Sequence, residues 1–486
     1  MTTVGRNPAR RASGPAARAS AAAYVPSADR AAVGKSLRTL TPRSSHATWE
    51  PPSDRSDPIA LLEEQAAGRV RELVPIRYGR MSTSPFAFYR GAAYVMASDL
   101  ARSPQTGLRV QLCGDAHLAN FGAFASPERQ LLFDLNDFDE TLPGPWEWDV
   151  KRLAASVAVA GRENGFGVKR RTEVVRELVR EYRRTIRSFA TMNTLDVWYA
   201  RVSVSELREL VRSQASAGRS RRLEKTLAKG RRKDNARAFA KLAVSDNGEA
   251  RIRADPPLIV PIADLVDRSG AVRLELGARG ILESYLGSLR GDRRRLLERF
   301  RYVDLARKVV GVGSVGTRCW VILLLGRDSS DPLFLQAKEA SRSVLERFVG
   351  KSEFSNQGQR VVEGQRLMQS ASDIFLGWLR EPLGLEDLKP RDLYVRQLWD
   401  SKISADISGM RRSDMARYAR LCAWTLARAH ARSGDAVAIA GYLGSSQAFD
   451  RAIAAFAEVY ADQNERDHAA LIDAIATGRV EAQAER

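Results

Sequence analysis

Apolar residues recur at helical spacing over much of this 486-residue chain. From Asp57 onward, the stretch DPIALLEEQAAGRVRELVPIRYGRM predicts amphipathic helix, because its apolar positions lie three and four residues apart. A further helix is predicted after Ser84-Pro85, since serine is a common cap and proline suits the first helical turn. Residues 147 to about 215 predict long amphipathic helices. The pattern therefore indicates a helix-rich chain.

Shorter apolar runs bounded by turn residues predict strands. Two of them end near Cys113 and Phe133, and each is followed at once by acidic or amide side chains. A later group contains strands at 320–325 and 334–338, with a glycine-rich segment before them. The segments FLGW and LYVRQLWD predict further strands, and Asn247-Gly248 predicts a hairpin turn. Together with the helices, these strands predict an α+β fold.

Composition separates the N-terminal region from the rest of the chain. Residues 1–55 are rich in alanine, arginine, serine and proline and have almost no aromatic or β-branched residues. A segment of this composition buries too little apolar surface to offset its chain entropy. We therefore predict a disordered basic tail at 1–55, with packed structure beginning near Asp57.

The formal net charge of +19 makes nucleic acid a candidate partner. The most basic run, residues 219–237, has no interleaved aromatic residues for base stacking, so a solvated helix face explains it better. Arg80 and Arg90, which flank the helix that starts at Pro85, are expected to be ion-pair partners rather than phosphate ligands. We therefore do not expect a nucleic-acid partner.

Cysteine use and hydropathy bear on location. The three cysteines, Cys113, Cys319 and Cys422, lie in apolar surroundings without metal-ligand spacing, which predicts buried reduced thiols. No uninterrupted apolar run approaches the roughly 18 residues of a membrane span. These features predict a cytoplasmic protein that does not cross a membrane.

Side chains suited to a divalent cation follow the two early strands. They are Asp115, His117, Asn120, Asp134, Asp137, Asp139 and Glu140. Mg²⁺ prefers oxygen ligands and is usually held by one or two carboxylates together with substrate phosphates. In phosphoryl transfer, one aspartate orients the attacking hydroxyl, while an asparagine and a second aspartate bind metal. Taken singly, aspartate and asparagine are also ordinary turn formers.

Roles can be assigned within this group. Asp115 is the candidate for the aspartate that orients the hydroxyl, and Asn120 and Asp137 are the candidate metal ligands. Asp139 and Asp134 are further candidate ligands, because the spacing fits more than one of them. His117, also a candidate catalytic residue, is expected to shape the loop rather than to transfer protons.

A second candidate site lies later in the chain. Gly311, Gly313, Ser314 and Gly316 form a glycine-rich loop between predicted strands, and a following strand ends at Lys338. Backbone N–H groups of such a loop can approach phosphate closely, and kinases place a phosphate-pairing lysine on the third strand of such a sheet. No helix follows the glycines, which argues against a dinucleotide-binding fold. An ordinary hairpin with a solvent-exposed lysine is the alternative.

Two neighbouring segments, GDAHLANFG and LLFDLNDFDE, resemble the catalytic and metal-binding loops of aminoglycoside phosphotransferases and related kinase-like enzymes. The segment GPWEWDVKRLAAS is similar to the part of that family in which an aspartate opens a helix. Asp149 takes that position, and Pro145 replaces the family's preceding aspartate. The whole chain also resembles a widespread bacterial family, domain of unknown function 2252, through SPFAFYRG, GDAHLANFG, LQAKEA and ARAHARSGD.

The resemblance to kinase-like enzymes implies a two-lobe fold that uses ATP and Mg²⁺. It further implies that a glutamate pairs with Lys338, and Glu363 in the predicted helix QGQRVVEGQRLMQSASDIF is our first choice, with Glu346 next. Gln397 lies where the nucleotide-binding hinge between the lobes is expected. The segment LARAH resembles the helix that precedes the catalytic loop, which would bring His430 near the site.

The order of the motifs differs from that of an ordinary kinase, in which the glycine loop and lysine come first. Here the catalytic and metal loops at 115–139 precede the glycine loop and lysine. We therefore predict a circularly permuted arrangement, which proteins tolerate when their termini lie close together at the surface. The large lobe is expected at 56–300 and 401–486, and the small nucleotide-binding lobe at 301–400.

The predicted function is ATP- and Mg²⁺-dependent transfer of phosphate to a hydroxyl acceptor that the sequence does not identify. The alternatives are a nucleotide-binding pseudokinase, an enzyme that transfers AMP, a metal-dependent phosphoesterase and a basic nucleic-acid-binding protein. Two-metal phosphoesterases use several histidines, whereas only His117, His430 and His468 lie outside the predicted tail. A nucleic-acid-binding protein would lose affinity steeply as salt is added.

Overall fold

The computed structural model describes residues 24–205, 235–246, 249–265, 280–381, 389–398 and 403–483. The protein has an α+β fold, as its sequence pattern predicts. The helices are α1 (Ser27–Leu40), α2 (Pro58–Ala66), α3 (Val74–Ser82), α4 (Pro85–Gly91), α5 (Ala93–Leu100), α6 (Trp146–Glu163), α7 (Val168–Phe189), α8 (Thr194–Tyr199), α9 (Asn235–Leu242), α10 (Gly291–Leu297), α11 (Glu346–Val349), α12 (Gln357–Met368), α13 (Arg412–Ser433), α14 (Ala436–Leu443) and α15 (Ala448–Ala476). The strands are β1 (Arg109–Leu112), β2 (Phe121–Ala125), β3 (Leu131–Leu135), β4 (Leu142–Pro145), β5 (Val202–Ser203), β6 (Ala243–Asp246), β7 (Glu249–Ile252), β8 (Ile259–Pro261), β9 (Arg301–Lys308), β10 (Cys319–Leu325), β11 (Pro332–Glu339), β12 (Gly377–Glu381), β13 (Arg391–Gln397) and β14 (Ile403–Ser404).

The largest sheet has six antiparallel strands in the order β12-β13-β11-β10-β9-β8. Strands β10 and β11 match the segments predicted at 320–325 and 334–338, and β12 and β13 match FLGW and LYVRQLWD. The register places Lys338 opposite Cys319 on one side and Tyr394 on the other. The sheet also includes β8, so it begins upstream of residue 301, where we expected the small lobe to start.

Two smaller sheets carry the acidic segments. Strands β2 and β3 form the centre of a four-stranded sheet in the order β14-β2-β3-β5, and β1 pairs with β4. Helices α6, α7, α13 and α15 surround these strands and share one large apolar core with them. The ends of β1 and β3 are therefore fixed on both sides by packed structure, and the loops that follow them are well supported.

The six-stranded sheet is covered on both faces, because alternate side chains of a strand point to opposite sides. Trp320 and Ile322 of β10 contribute to one apolar cluster, and Val321 and Leu323 contribute to another on the opposite face. Residues of α9, including Leu242, belong to the second cluster. Burial on both faces explains why β10 reads as a continuous apolar run.

The prediction of a disordered tail through residue 55 is wrong for the described residues 24–55. Helix α1 packs against α14 at very short range: a Cβ added at Gly34 would lie 1.9 Å from the carbonyl oxygen of Ala438. Farther along, His46 is fully buried, and its Nε2 lies 2.8 Å from the hydroxyl of Tyr442. Close packing of small residues orders the segment. The prediction of disorder rests on the lack of large apolar residues, and it does not take such packing into account. Residues 1–23 lie outside the described part.

The helix that begins at Pro85, with Ser84 as its cap, ends at Gly91, and a separate helix follows from Ala93. The turn at residues 247–248 and most of the basic run at 219–237 lie outside the described residues, although β6 and β7 do pair as a hairpin requires. Among the helices that the structure describes, none is long and apolar enough to cross a membrane.

Candidate functional site

A cavity of about 170 Å³ lies where the β9–β10 loop faces the segments that follow β1 and β3. Among its wall residues are many of those predicted from the sequence: Asp115, His117, Asn120, Asp137, Asp139, Gly311, Gly313 and Ser314. Arg69 and Arg90, which precede β1, complete another part of the wall. The cavity therefore joins three separate parts of the chain.

Lys338, near the end of β11, is not a wall residue of this cavity but contacts two of them. Its Nζ donates a hydrogen bond to Ser314 Oγ at 2.7 Å and forms an ion pair with Asp139. The same carboxylate accepts hydrogen bonds from the Tyr394 hydroxyl at 2.7 Å and from Ser314 Oγ at 3.2 Å. The glycine loop, the sheet and the acidic loop after β3 therefore meet at these four side chains.

The pair of Lys338 and Asp139 is charged at neutral pH. Burial lowers the pKa of Lys338, but the nearby Asp139, Tyr394 and Asp137 outweigh burial, and the pKa lies above its ordinary value. Burial also raises the pKa of Asp139, but the charge of Lys338 and the hydrogen bonds from Lys338 and Tyr394 lower it to about 2. The lysine is thus a fixed positive charge beside the cavity.

The loop after β1 is held in place from below by Asp149 in the first turn of α6. One carboxylate oxygen of Asp149 accepts from the N–H of Cys113 at 2.8 Å, and the other accepts from the N–H of Gly114 at 3.1 Å. Gly114 has a φ of +80°, and an added Cβ would lie 2.4 Å from the carbonyl oxygen of Glu140. Glycine is therefore required where the two acidic loops cross.

Asp115 follows this glycine and lines the cavity. Its carboxylate pairs with Arg152 of α6, whose Nε lies 2.6 Å away. Burial raises the pKa of Asp115, while Arg152 and Arg90 oppose that effect. The Nε2 of His117 lies 3.6 Å from the carboxylate, and burial lowers the pKa of His117 well below its ordinary value. His117 is therefore neutral at pH 7.

Asn120 and Asp137 both line the cavity. The Nδ2 of Asn120 donates to the carbonyl oxygen of Asp115 at 2.7 Å, and its Oδ1 accepts no hydrogen bond from any described residue. Asp137 accepts from the backbone N–H of Asp139 at 3.2 Å. Asp134 is different, because it pairs with Arg428 at 2.6 Å within the core and does not line the cavity.

In the part of the chain that the structure describes, no group of three or more histidine, cysteine or acidic side chains is arranged to hold a metal ion. Asn120 and Asp137 provide two oxygen-bearing side chains in the cavity wall. Such a pair suits Mg²⁺, which usually takes its other ligands from water and from substrate phosphates.

The glycine-rich loop between β9 and β10 bends toward the cavity. Gly311 and Gly316 have φ values of +68° and +88°, in the left-handed region that favours glycine. Two arginines hold the backbone of the loop: Arg80 donates to the carbonyl oxygen of Gly311, and Arg69 donates to that of Val315 at 2.5 Å. Arginines from the segment before β1 thus fix the shape of a loop that lies far along the chain.

The predicted partner of Lys338 is wrong. Glu363 lies on α12 as expected, but its carboxylate pairs with Arg366 at 2.9 Å and is 38% exposed. The acidic residue that pairs with Lys338 is Asp139. Glu346, the second choice, instead accepts from the backbone N–H of Ser352. The sequence predicts helix α12 correctly, but it does not show how far that helix lies from β11.

Gln397 and His430 also lie away from the cavity wall. Gln397 pairs with Leu335 in the sheet, and its backbone N–H donates to Asp373. His430 is buried, with Nδ1 2.8 Å from the Tyr182 hydroxyl and Nε2 3.4 Å from Asp149. Gln397 and His430 therefore support the fold, and His430 contacts Asp149, whose carboxylate holds the backbone before Asp115. 

Three residues of the site were missed or misassigned. Tyr394 lies in a predicted strand, but its place beside Lys338 depends on strand order, which the sequence does not reveal. Arg152 lies in a predicted amphipathic helix, and the helix pattern does not indicate that it pairs with Asp115. Arg90 was expected to be an ion-pair partner, yet it lines the cavity and has no ion pair among the described residues.

The fold and the cavity define an α+β protein in which a sheet lysine, two acidic loops and a glycine-rich loop surround one charged site. A family model described as an uncharacterised protein conserved in bacteria, domain of unknown function 2252, matches residues 69–474, and the chain belongs to this family. Neither a curated protein nor a solved structure matches the chain. The matched region contains all the site residues named above.

Proposed function

We propose that this protein transfers phosphate from ATP to a hydroxyl acceptor in a reaction that depends on Mg²⁺. The observation that carries the proposal is the ion pair of Lys338 with Asp139 beside a cavity lined by Asp115, Asn120 and the glycine-rich loop. Phosphoryl transfer needs little covalent chemistry from the protein and depends on positioning and on charge. A cavity with a fixed lysine, carboxylates and loop N–H groups suits that requirement.

Lys338 is the residue that we propose to pair with the nucleotide phosphates. It is charged and buried, and its Nζ already donates to Ser314 Oγ at 2.7 Å. The loop that carries Ser314 has glycines in left-handed conformations, so its N–H groups can come close to a phosphate. Since Ser314 also donates to Asp139, nucleotide binding would require these contacts to be shared or exchanged.

Asn120 and Asp137 are the residues that we propose to hold Mg²⁺. Both present oxygen atoms to the cavity, and the Oδ1 of Asn120 accepts no hydrogen bond among the described residues. Asp139 fits less well, because Lys338, Tyr394 and Ser314 all donate to its carboxylate. A bound Mg²⁺ would supply positive charge to the transferring phosphoryl group.

Asp115 is proposed to orient the acceptor hydroxyl and to accept its proton. Its raised pKa favours this role, because a base works best when its pKa approaches the working pH. Arg152 fixes the carboxylate from one side, and Asp149 fixes the backbone that precedes it. Both Arg152 and Asp149 act as positioning residues.

We further propose that the fold is a permuted relative of the kinase-like two-lobe arrangement. The six-stranded sheet would correspond to the small lobe, and the helices around β2 and β3 to the large lobe. The support is the resemblance of the acidic loops to those of aminoglycoside phosphotransferases, together with the contact between Lys338 and Asp139. The motif order then requires that the small lobe come late in the chain.

Transfer of AMP remains a second candidate reaction, because it would use the same lysine and metal ligands. Analysis of the acceptor product by mass spectrometry separates the two, since a phosphate and an AMP group differ in mass. A phosphoesterase is less well supported: among the described wall residues, His117 is the one histidine. A pseudokinase would bind nucleotide without turning it over.

The test is Mg²⁺-dependent ATP binding, measured by calorimetry on the full chain. We expect the wild type to bind, and we expect Lys338→Ala and Asp137→Ala to bind at least about tenfold more weakly, which corresponds to a loss of about 1.4 kcal/mol. Lys351→Ala and Asp473→Ala, which change exposed residues, are the matched controls and should bind as the wild type does.

Two results would contradict the proposed function. One is the absence of ATP binding by the wild type at millimolar nucleotide. The other is unchanged affinity in both cavity variants, provided that thermal unfolding shows them to be folded. Where binding is present, ATP turnover with a panel of hydroxyl acceptors separates an active enzyme from a pseudokinase.

A further inference from the structure

Arg90 is a residue of the cavity wall to which the proposed transfer gives no role. It lies in the last turn of α4, and it lines the cavity near Asp115 and Asp137. Its Nε is buried without a hydrogen-bond partner among the described residues, and Asp115 and Asp137 act on its guanidinium through charge alone. The Arg90 guanidinium at the cavity wall therefore has N–H donors that make no hydrogen bond to the described residues.

Arg90 is partly buried, whereas three almost fully buried arginines of this chain each have a partner for part of the guanidinium. Arg152 pairs with Asp115, Arg428 pairs with Asp134, and Arg360 donates to two backbone carbonyl oxygens. A guanidinium keeps its proton in proteins, and an unpaired buried donor loses the hydrogen bonds that it had in water. A partner supplied from outside the chain would remove that cost for Arg90.

The chemistry of that partner follows from the guanidinium group. Its planar set of N–H donors matches the paired oxygens of a phosphate or a carboxylate. Arg69 lines the same cavity and also has a buried Nε without a partner. The backbone of Arg90 touches the glycine loop, since a Cβ added at Gly313 would lie 3.2 Å from its carbonyl oxygen. An anion at Arg90 would therefore lie next to the proposed phosphate-binding loop.

We propose that Arg90, together with Arg69, forms an oxyanion subsite in this cavity that takes a phosphate group. Two sources carry that chemistry: the terminal phosphate of the nucleotide, or a phosphate on the acceptor substrate. The choice between these sources rests on the proposed function. The subsite itself rests only on the unpaired guanidinium in the cavity wall, so it can be tested without ATP.

The first measurement is calorimetric titration of the full chain with inorganic phosphate in the absence of nucleotide. We expect the wild type to bind phosphate and Arg90→Gln to bind it at least tenfold more weakly, because glutamine keeps much of the length but not the charge. Arg90→Lys should retain part of the affinity. Arg295→Gln, at an exposed position of α10, is the matched control and should leave binding unchanged.

Absence of phosphate binding by the wild type would overturn the proposal, and so would equal binding by Arg90→Gln and the wild type. Because Arg90→Gln could fail to fold, thermal unfolding of each variant is recorded. If that variant is unfolded, Arg69→Gln takes its place in the comparison. A folded Arg69→Gln that binds phosphate as tightly as the wild type would then overturn the proposal.

The two sources are separated by repeating the titration with the protein saturated by Mg²⁺ and a non-hydrolysable ATP analogue. Loss of phosphate binding would assign the subsite to the terminal phosphate of the nucleotide. Persistence of phosphate binding would assign it to a phosphate on the acceptor. If the protein binds no ATP, the proposed function fails, whereas phosphate binding at Arg90 still decides whether the subsite exists.

Discussion

Two carboxylates from one short stretch of the chain form ion pairs of different kinds. Asp134, in β3, pairs with Arg428 of α13, and each side chain is 1% exposed. Asp139, just after the strand, pairs with Lys338 of β11, and its side chain is 26% exposed and lines the cavity. The first pair is sealed and joins a helix to a strand. The second opens onto the cavity through the Asp139 carboxylate, whereas the Lys338 side chain is 4% exposed.

The surroundings of the two carboxylates explain this difference. Around Asp134, the backbone N–H and the hydroxyl of Ser370 add hydrogen bonds at 2.9 and 2.8 Å, so a rigid set of protein donors satisfies the buried charge. Around Asp139, Ser314 belongs to a glycine-rich loop. A sealed ion pair serves the fold, whereas one whose partners sit on a loop and beside a cavity can also serve binding.

The largest effect is expected from breaking the sealed pair. Asp134→Ala leaves Arg428 charged in the core without a counter-ion, and removal of one partner of a buried pair costs about 3–5 kcal/mol. The free energy of unfolding, measured with urea, should fall by that amount. In the double variant Asp134→Ala/Arg428→Met, part of the loss should return, because no charge is then buried. A loss below about 1 kcal/mol in the single variant would mean that the pair is not sealed.

An intermediate effect is expected from the open pair. In Asp139→Asn, the amide oxygen can still accept from Tyr394, but the charge opposite Lys338 is lost, and a lost hydrogen bond to a charged group costs about 1.5–3 kcal/mol. Water from the cavity can replace part of the lost interaction. We therefore expect this variant to lose less stability at neutral pH than Asp134→Ala loses.

The same variant has a pH signature with a definite sign. The pKa of Asp139 is lowered from its ordinary 3.8 to about 2 in the folded protein. Its charge therefore stabilises the fold fully above the unfolded-state pKa, and this contribution is lost as pH falls toward about 2. The difference in unfolding free energy between wild type and Asp139→Asn should stay constant above about pH 5 and shrink below about pH 4. A difference that does not change across this range would contradict the charge-based explanation.

The sequence pattern predicts the parts of the candidate site that are local in sequence. The runs that became β10 and β11 were visible as apolar segments, and the glycines of the loop between β9 and β10 were visible as turn residues. Asp115 and Asp137 stood out because acidic residues directly followed predicted strands. In each case the relevant physics lies within a few residues.

The parts that were not predicted depend on distant contacts. Lys338 pairs with Asp139 rather than with Glu363 because strand order and helix placement, which no local pattern encodes, decide which carboxylate comes within reach. Helix α1 was missed for a related reason: Gly34 is a poor helix former in isolation, yet here it permits close packing against α14. Tertiary packing outweighed local propensity in both places.

The smallest effect is expected at the exposed end of the same helix that carries Arg428. Arg412, at the start of α13, pairs with Glu173 of α7 at 2.7 Å, and the two side chains are 44% and 40% exposed. Water and salt screen such a pair, so Glu173→Gln should change the free energy of unfolding by about 0–1 kcal/mol. Compared with the variants of the sealed and open pairs, this variant tests which property sets the contribution of an ion pair to stability. We expect that property to be the exposure of the pair rather than the distance between its charges. A loss as large as that of Asp134→Ala would break the ranking, because the short distance alone would then account for the stability.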